Sequence, residues 1–207
     1  MKKCVIFCAA GFDGLACPIE SGDLVIAADG GLRHLDRLGL TPGIILGDFD
    51  SLGHIPAGAE VYPVEKDDTD AMLAIKKGLR QGCDTFYLYG ALDGKRLDHT
   101  IANLQSLLYL AEHGATGCLI GKDYIIRALT GGTISLPSHF TGILSIFCLG
   151  ADACGVTIRG AKYEAENATL TAGFPLGVSN HFIGSPVTVS VKSGALLVMW
   201  DRKNGLI

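Results

Sequence analysis

Acidic residues in the first half of the chain recur in a pattern suited to chemistry. Asp29 lies in AADGG, Asp48 and Asp50 in GDFDS, Asp67, Asp68 and Asp70 in KDDTD, and Asp93 and Asp98 in GALDGKRLDH. Three of these groups follow apolar runs that read as strands, and KDDTD opens a helical pattern. In open α/β sheets, ligands bind outside the carboxyl ends of the strands. Carboxylates from distant parts of the chain should therefore converge on one crevice. Such a gathering is costly without a counter-charge, and one or two divalent cations supply it. All-oxygen ligands favour Mg²⁺ or Mn²⁺, and Mg²⁺ commonly arrives with substrate phosphates. Gly30 and Gly31, just ahead of a helical stretch, can bring backbone N–H groups near a phosphate. Lys66, Lys95 and Arg96 lie beside the acids and can meet phosphate oxygens.

Individually, these residues have plainer explanations. Asp29-Gly30-Gly31 reads as a turn and helix start, Asp68 or Thr69 as a helix cap, Asp98 as a cap, and His99 as a surface or packed histidine. GDFDS is harder to dismiss. If its strand continues, Asp48 and Asp50 point to the same side.

The elements that must position these acids are legible from apolar patterning. VIFCAA (5–10), LVIAAD (24–29), IILG (44–47), TFYLYG (85–90) and TGCLIG (116–121) read as buried strands, with VYPV as a further short one. Helical spacing appears over 69–82 (Met72, Ile75, Leu79) and over 98–113 (Ile101, Leu104, Leu108). This alternation predicts a mostly parallel sheet with helices on both faces. Near residue 125 the pattern changes. YIIRAL, GTISLP, GILSIFCLG, GVTIRGAKYE, ATLTAG, PVTVSVKSG and ALLVMW alternate and are punctuated by Gly, Pro or Asn, predicting an all-β sandwich or barrel-like unit. No Pro-rich or Gly/Ser-rich linker divides the halves, so they should pack closely.

Composition narrows the function classes. The 207 residues are 48% hydrophobic and 18% charged, which supports a sizeable core. The net charge of −4 and the lack of a basic stripe argue against nucleic acid as a partner. No apolar run approaches the roughly 18 residues of a membrane span. The lysine-led N-terminus reads as a first strand rather than a leader. The seven cysteines form no C-x-x-C pair and read as reduced thiols of a cytoplasmic protein.

In this order, AADGG, GDFDS, KDDTD, GKRLDHTIANL and GVSN resemble the thiamine pyrophosphokinases, from about residue 24 to the C-terminus. The resemblance implies pyrophosphoryl transfer from Mg·ATP to the hydroxyl of thiamine, giving thiamine diphosphate and AMP. It implies a Rossmann-like α/β ATP-binding catalytic domain over 1–124, a thiamine-binding β-sandwich over 125–207, and a homodimer with sites at the subunit interface. Asp48, Asp50 and Asp70 fall at the Mg²⁺–pyrophosphate ligands, with Asp70 or Asp98 as the catalytic proton acceptor. Asp29, Gly30, Gly31, Asp67, Thr69, Arg96, Asp98 and His99 fall along the ATP site. Ser179 and Asn180 of GVSN fall at the segment that meets thiamine. Some relatives place a tryptophan just before this Ser-Asn pair. Here Gly177 and Val178 precede it, leaving Phe182 and Trp200 as candidate stacking aromatics. Two other readings share the acidic loops: a metal-dependent phosphohydrolase, and a non-catalytic nucleotide or thiamine sensor. GVSN weighs against the first, and the intact acidic set against the second.

Overall fold

In the computed structural model, which describes residues 2–207, the chain is a mixed α/β protein with a large sheet and few helices. The first half contains β1 (Lys3–Phe7), β2 (Leu24–Ala28), α1 (Leu32–Leu38), β3 (Ile44–Gly47), β4 (Glu60–Val61), α2 (Asp70–Arg80), β5 (Thr85–Tyr89), α3 (Leu97–Glu112) and β6 (Thr116–Ile120). β1 pairs in parallel with β2 and β5, and the parallel pairing extends outward through β3–β4 and β6. These strands are near-continuous apolar runs because both faces are covered. Leu35 of α1 packs with Val5, Phe7, Val25 and Ala27 on one face. On the other, Ala74 and Ile75 of α2 and Leu107 and Leu110 of α3 pack with Ile6, Ile26, Leu46 and Leu88.

Beyond Gly121 the pairing becomes antiparallel. β7 (Tyr124–Leu136) pairs with β6 and continues the same sheet. It is followed by β8 (Ile143–Cys148), β9 (Ala153–Arg159), β10 (Ala165–Leu170), β11 (Asn180–His181) and β12 (Val187–Asp201). The sheet order is β10-β9-β12-β7-β6-β5-β1-β2-β3-β4, with β8 on β12 and β11 on β8.

Two pairs of expected strands are corrected to single long ones. YIIRAL and GTISLP are both β7, and PVTVSVKSG and ALLVMW are both β12. The separating glycines are not turns. Gly132 (φ 73°) pairs with Val191, and Gly131 (φ 70°) stands opposite the stretch 192–194, which ends in Gly194 (φ 83°), where the β7–β12 register shifts before Ala195 resumes pairing with Thr130. This is a bulge within a continuing ladder. Trp200 and Phe182, named as stacking candidates though their types more often serve a core, prove to be core residues. Trp200 is fully buried and donates Nε1–H to the Gly205 carbonyl, 2.9 Å away. Phe182 is buried edge-on against Phe140. Both serve the core rather than an open stacking site.

Candidate functional site

Glycine at three points allows the acidic motifs to meet. A Cβ at Gly31 would lie 1.8 Å from the Phe7 carbonyl oxygen, so AADGG can cross the end of β1 only as drawn. A Cβ at Gly30 would come within 2.9 Å of Ser51 Oγ. Gly47, at φ 148°, lies against the Asp29 backbone, where a Cβ would come 3.1 Å from Cα. AADGG and GDFDS are thereby pressed together at the carboxyl ends of β2 and β3.

The strand does not continue through GDFDS, contrary to the reading that put Asp48 and Asp50 on one face by alternation. β3 ends at Gly47, and Phe49 turns at φ 61° with its ring buried. The Asp50 N–H donates to Asp48 Oδ1 at 3.3 Å, and Leu52 and Gly53 donate to the Phe49 carbonyl. Burial of the Phe49 ring between them turns Asp48 and Asp50 toward Asp29, with Asp48 half-buried and Asp50 exposed. Asp29, Phe49 and Ser179 are three of the four non-glycine residues at positive φ among the described residues, so backbone strain concentrates in these motifs.

Oxygen atoms of Asp29, Asp48 and Asp50 all lie within 4.8 Å of one another. Asp29 is 9% exposed. Its Oδ2 accepts a 2.6 Å hydrogen bond from Ser51 Oγ, and its Oδ1 is buried without a partner. Ser51 is held from behind by Arg33, which donates to the Ser51 carbonyl at 2.6 Å. Asp70, the first residue of α2, completes the acidic wall across Lys66. The Lys66 ammonium lies 2.8 Å from Asp48 Oδ2 and 3.2 Å from Asp70 Oδ1. The Asp70 contact lacks hydrogen-bond alignment, so Oδ1 is a second buried oxygen without a hydrogen-bond partner. Lys66 holds the Asp48 carboxyl below the usual carboxylate range. Burial, aided by Asp48 and Asp29, raises that of Asp70 against the pull of Lys66.

Other expected site residues stand apart from this cluster. The Thr69 hydroxyl caps α2, accepting from the Met72 N–H at 3.1 Å. Asp67 is exposed, and Asp68 pairs with Lys76 at 2.7 Å. Arg96, at the N-cap of α3, and Asp98, in its first turn, form an exposed 2.6 Å ion pair, and the exposed His99 follows in the same turn. Arg96 draws the Asp98 carboxyl down to about 2. Asp93 braces the adjacent loop by accepting from the Lys122 N–H at 2.7 Å.

Around GVSN, Asn180 is buried and its side chain is engaged through both its oxygen and its nitrogen. Oδ1 accepts from the Tyr163 and His181 N–H groups, and Nδ2 donates to the Tyr163 carbonyl at 2.7 Å. This grip fixes the backbone of Tyr163, whose ring is exposed. The exposed Ser179 turns at φ 58°, with its N–H donating to Ser145 Oγ at 3.1 Å. Phe174, Leu176 and Ile183 nearby are each more than half exposed. Sequence reasoning missed Tyr163, Ser51 and the pairing role of Lys66. Ser51 was within reach, since it completes GDFDS itself.

Comparison with known proteins adds to this geometry. A family model described as thiamin pyrophosphokinase, catalytic domain, matches residues 18–119, and one described as thiamin pyrophosphokinase, vitamin B1 binding domain, matches 133–196. A thiamine pyrophosphokinase of Bacillus subtilis is 30% identical over 186 residues, covering 85% of this chain and 86% of the relative. The crystal structure of thiamine pyrophosphokinase from Bacillus subtilis matches with a TM-score of 0.81 and 27% identity, covering 97% of this chain and 99% of that one. The corresponding structure from Geobacillus thermodenitrificans matches with a TM-score of 0.77 and 25% identity, covering 97% of each chain.

Proposed function

The chain belongs to the thiamin pyrophosphokinase family and is an enzyme that transfers pyrophosphate from ATP to thiamine, and we propose that it does so at the acidic wall of Asp29, Asp48, Asp50 and Asp70. The observation that carries this reading is the convergence of three carboxylates within 4.8 Å, one of them buried with an unpartnered oxygen. An all-oxygen set of this kind suits Mg²⁺. Asp48 and Asp50 are the proposed ligands, with Asp29 or Asp70 completing the set. A cation bound there would supply positive charge to the polyphosphate during transfer.

Of the two candidate proton acceptors, Asp70 is the better. A general base works best with a pKa raised toward the operating pH, and burial raises that of Asp70. Asp98 is tied to Arg96 and held near 2, so it is a weak base. We assign Arg96 and the first turn of α3, with Asp98 and His99, together with Asp67, to the mouth of the ATP site. Gly30 and Gly31 keep the backbone of the same edge close to β1. Thr69 acts there through its cap, fixing the start of α2 and so Asp70.

Thiamine recognition is assigned to Tyr163 and Ser179, with Asn180 as the residue that positions both. An exposed aromatic ring suits stacking on the cationic thiazolium. Six strand steps separate β12, which carries β8 and β11, from β3. GVSN itself is two pairings farther along, on β11, so eight pairing steps lie between it and β3 of its own chain. That separation supports a homodimer in which the partner subunit's Tyr163 and Ser179 face these acids. The exposed Phe174, Leu176 and Ile183 beside GVSN suit such a contact. The same separation, with antiparallel pairing starting at β7, supports division into an ATP-binding unit over 1–124 and a thiamine-binding unit over 125–207. Seven free thiols favour a reducing compartment such as the cytoplasm.

The reaction is tested by incubating the pure protein with thiamine, ATP and Mg²⁺ and separating the products. Thiamine diphosphate and AMP should form in equal amounts. ADP with thiamine monophosphate would contradict pyrophosphoryl transfer.

A further inference from the structure

The acidic wall gathers four carboxylates, yet the cation in direct contact with it comes from the chain itself. Among the described residues, Lys66 alone forms ion pairs with these acids. Its ammonium donates to Asp48 Oδ2 at 2.8 Å and to the Pro63 carbonyl at 3.1 Å, and its charge lies 3.2 Å from Asp70 Oδ1. The side chain is 13% exposed, and those of Asp48 and Asp70 are 12% and 21% exposed. This is a compact, largely enclosed arrangement, unlike a surface ion pair of small worth. Arg33, the other nearby base, spends itself on the Ser51 carbonyl.

We infer that Lys66 is the site's resident counter-cation, whose ammonium holds Asp48 and Asp70 together until a divalent cation competes for the same carboxylates. The inference rests on the acidic wall being the metal site. The side-chain type fits the role. A lysine ammonium is a point charge on a flexible stem and can withdraw by rotation, whereas a guanidinium would lock a carboxylate in a two-point fork. The position fits too. Lys66 lies four residues ahead of Asp70, on the segment leading into α2, so its withdrawal leaves the capped helix start undisturbed. The gain is an acidic wall that remains folded while empty. The consequence is that metal binding without nucleotide is weakened by competition from inside the protein.

The test is Mn²⁺ binding to the full-length, nucleotide-free protein, followed by the EPR signal of free Mn²⁺. Lys66→Met should bind Mn²⁺ about 10-fold or more tightly than the parent, a difference of about 1.4 kcal/mol. Lys66→Gln, which keeps a donor without the charge, should do likewise and carries the test if the methionine variant does not fold. Lys76→Met removes the same charge from the Asp68 pair outside the wall and should change affinity less than about twofold. Unchanged or weaker Mn²⁺ binding in the folded Lys66 variants would overturn the inference, as would an equal gain in Lys76→Met. Asp48→Asn separates this failure from failure of the site. Its Mn²⁺ binding should fall at least about 10-fold if the wall holds the metal, and parent-like binding would remove the site and the inference together.

Discussion

Asp70, as the proposed proton acceptor, would trade stability for chemistry. Burial raises its carboxyl above the usual range, Asp48 and Asp29 push the same way, and Lys66 offsets only part. A raised folded-state pKa means that the native protein binds this proton more tightly than the unfolded chain does. The associated stability is present in acid, below the ordinary aspartate pKa of about 4, and is lost as pH rises through the folded value. At neutral pH the ionised Asp70 is therefore a burden. Asp70→Asn should raise the melting temperature at pH 7 in excess chelator, by about 2–4 °C for each kcal/mol relieved. It should also cut kcat by roughly 10²-fold or more. The thermal gain should shrink as pH is lowered toward 4. A melting temperature below that of the parent at pH 7 would show that the Lys66 contact outweighs the burial. The acids could be read from the sequence because each stands in a short motif at a strand end. Lys66 as their partner could not, since nothing in KDDTD says that its first residue folds back over Asp48. Trp200 and Phe182 took the core positions their types favour, but a lone aromatic carries no pattern that settles core against site from sequence alone.

At the scale of elements, the site depends on how closely AADGG approaches β1. Gly31 has an ordinary backbone conformation (φ −59°), so its glycine is required by space alone. The methyl group of an alanine would overlap the Phe7 carbonyl at 1.8 Å, a rigid backbone atom in the middle of the sheet. Gly31→Ala should destabilise the protein by about 3 kcal/mol or more, seen as a lower denaturant midpoint, and should lower activity through Asp29. Near-parent stability would mean that the first turn slides away from β1 at little cost. Elements with strong periodicity were legible. α2 and α3 were expected over 69–82 and 98–113 and lie at Asp70–Arg80 and Leu97–Glu112, but the face read for α3 is corrected: Ile101 is exposed, and Asn103, Ser106, Leu107 and Leu110 are the residues buried against the sheet. The length of β7 and β12 was not legible. A glycine inside a bulge and a glycine in a turn look alike until the facing strand is known. β11 has two residues and no pattern to detect.

At the scale of the whole molecule, the proposed catalytic acids and the proposed thiamine-binding residues sit on strands of one sheet path separated by at least five intervening strands. The motif order in the sequence pointed to both halves of the chemistry, but not to this separation, which depends on β7 extending the parallel sheet rather than starting a detached one. The account therefore requires that one subunit supply the acids and the other the ring. The most direct test mixes two impaired proteins, Asp50→Asn and Tyr163→Ala, under conditions of demonstrated subunit exchange and at thiamine concentrations below the parent KM. In a random heterodimer, one site would combine the intact acids of one chain with the intact Tyr163 of the other. Activity should rise to about a quarter of that of the parent, since half the dimers would be mixed and each would hold one sound site of two. Activity no higher than the average of the two separate variants would contradict the shared site and require each chain to complete its own.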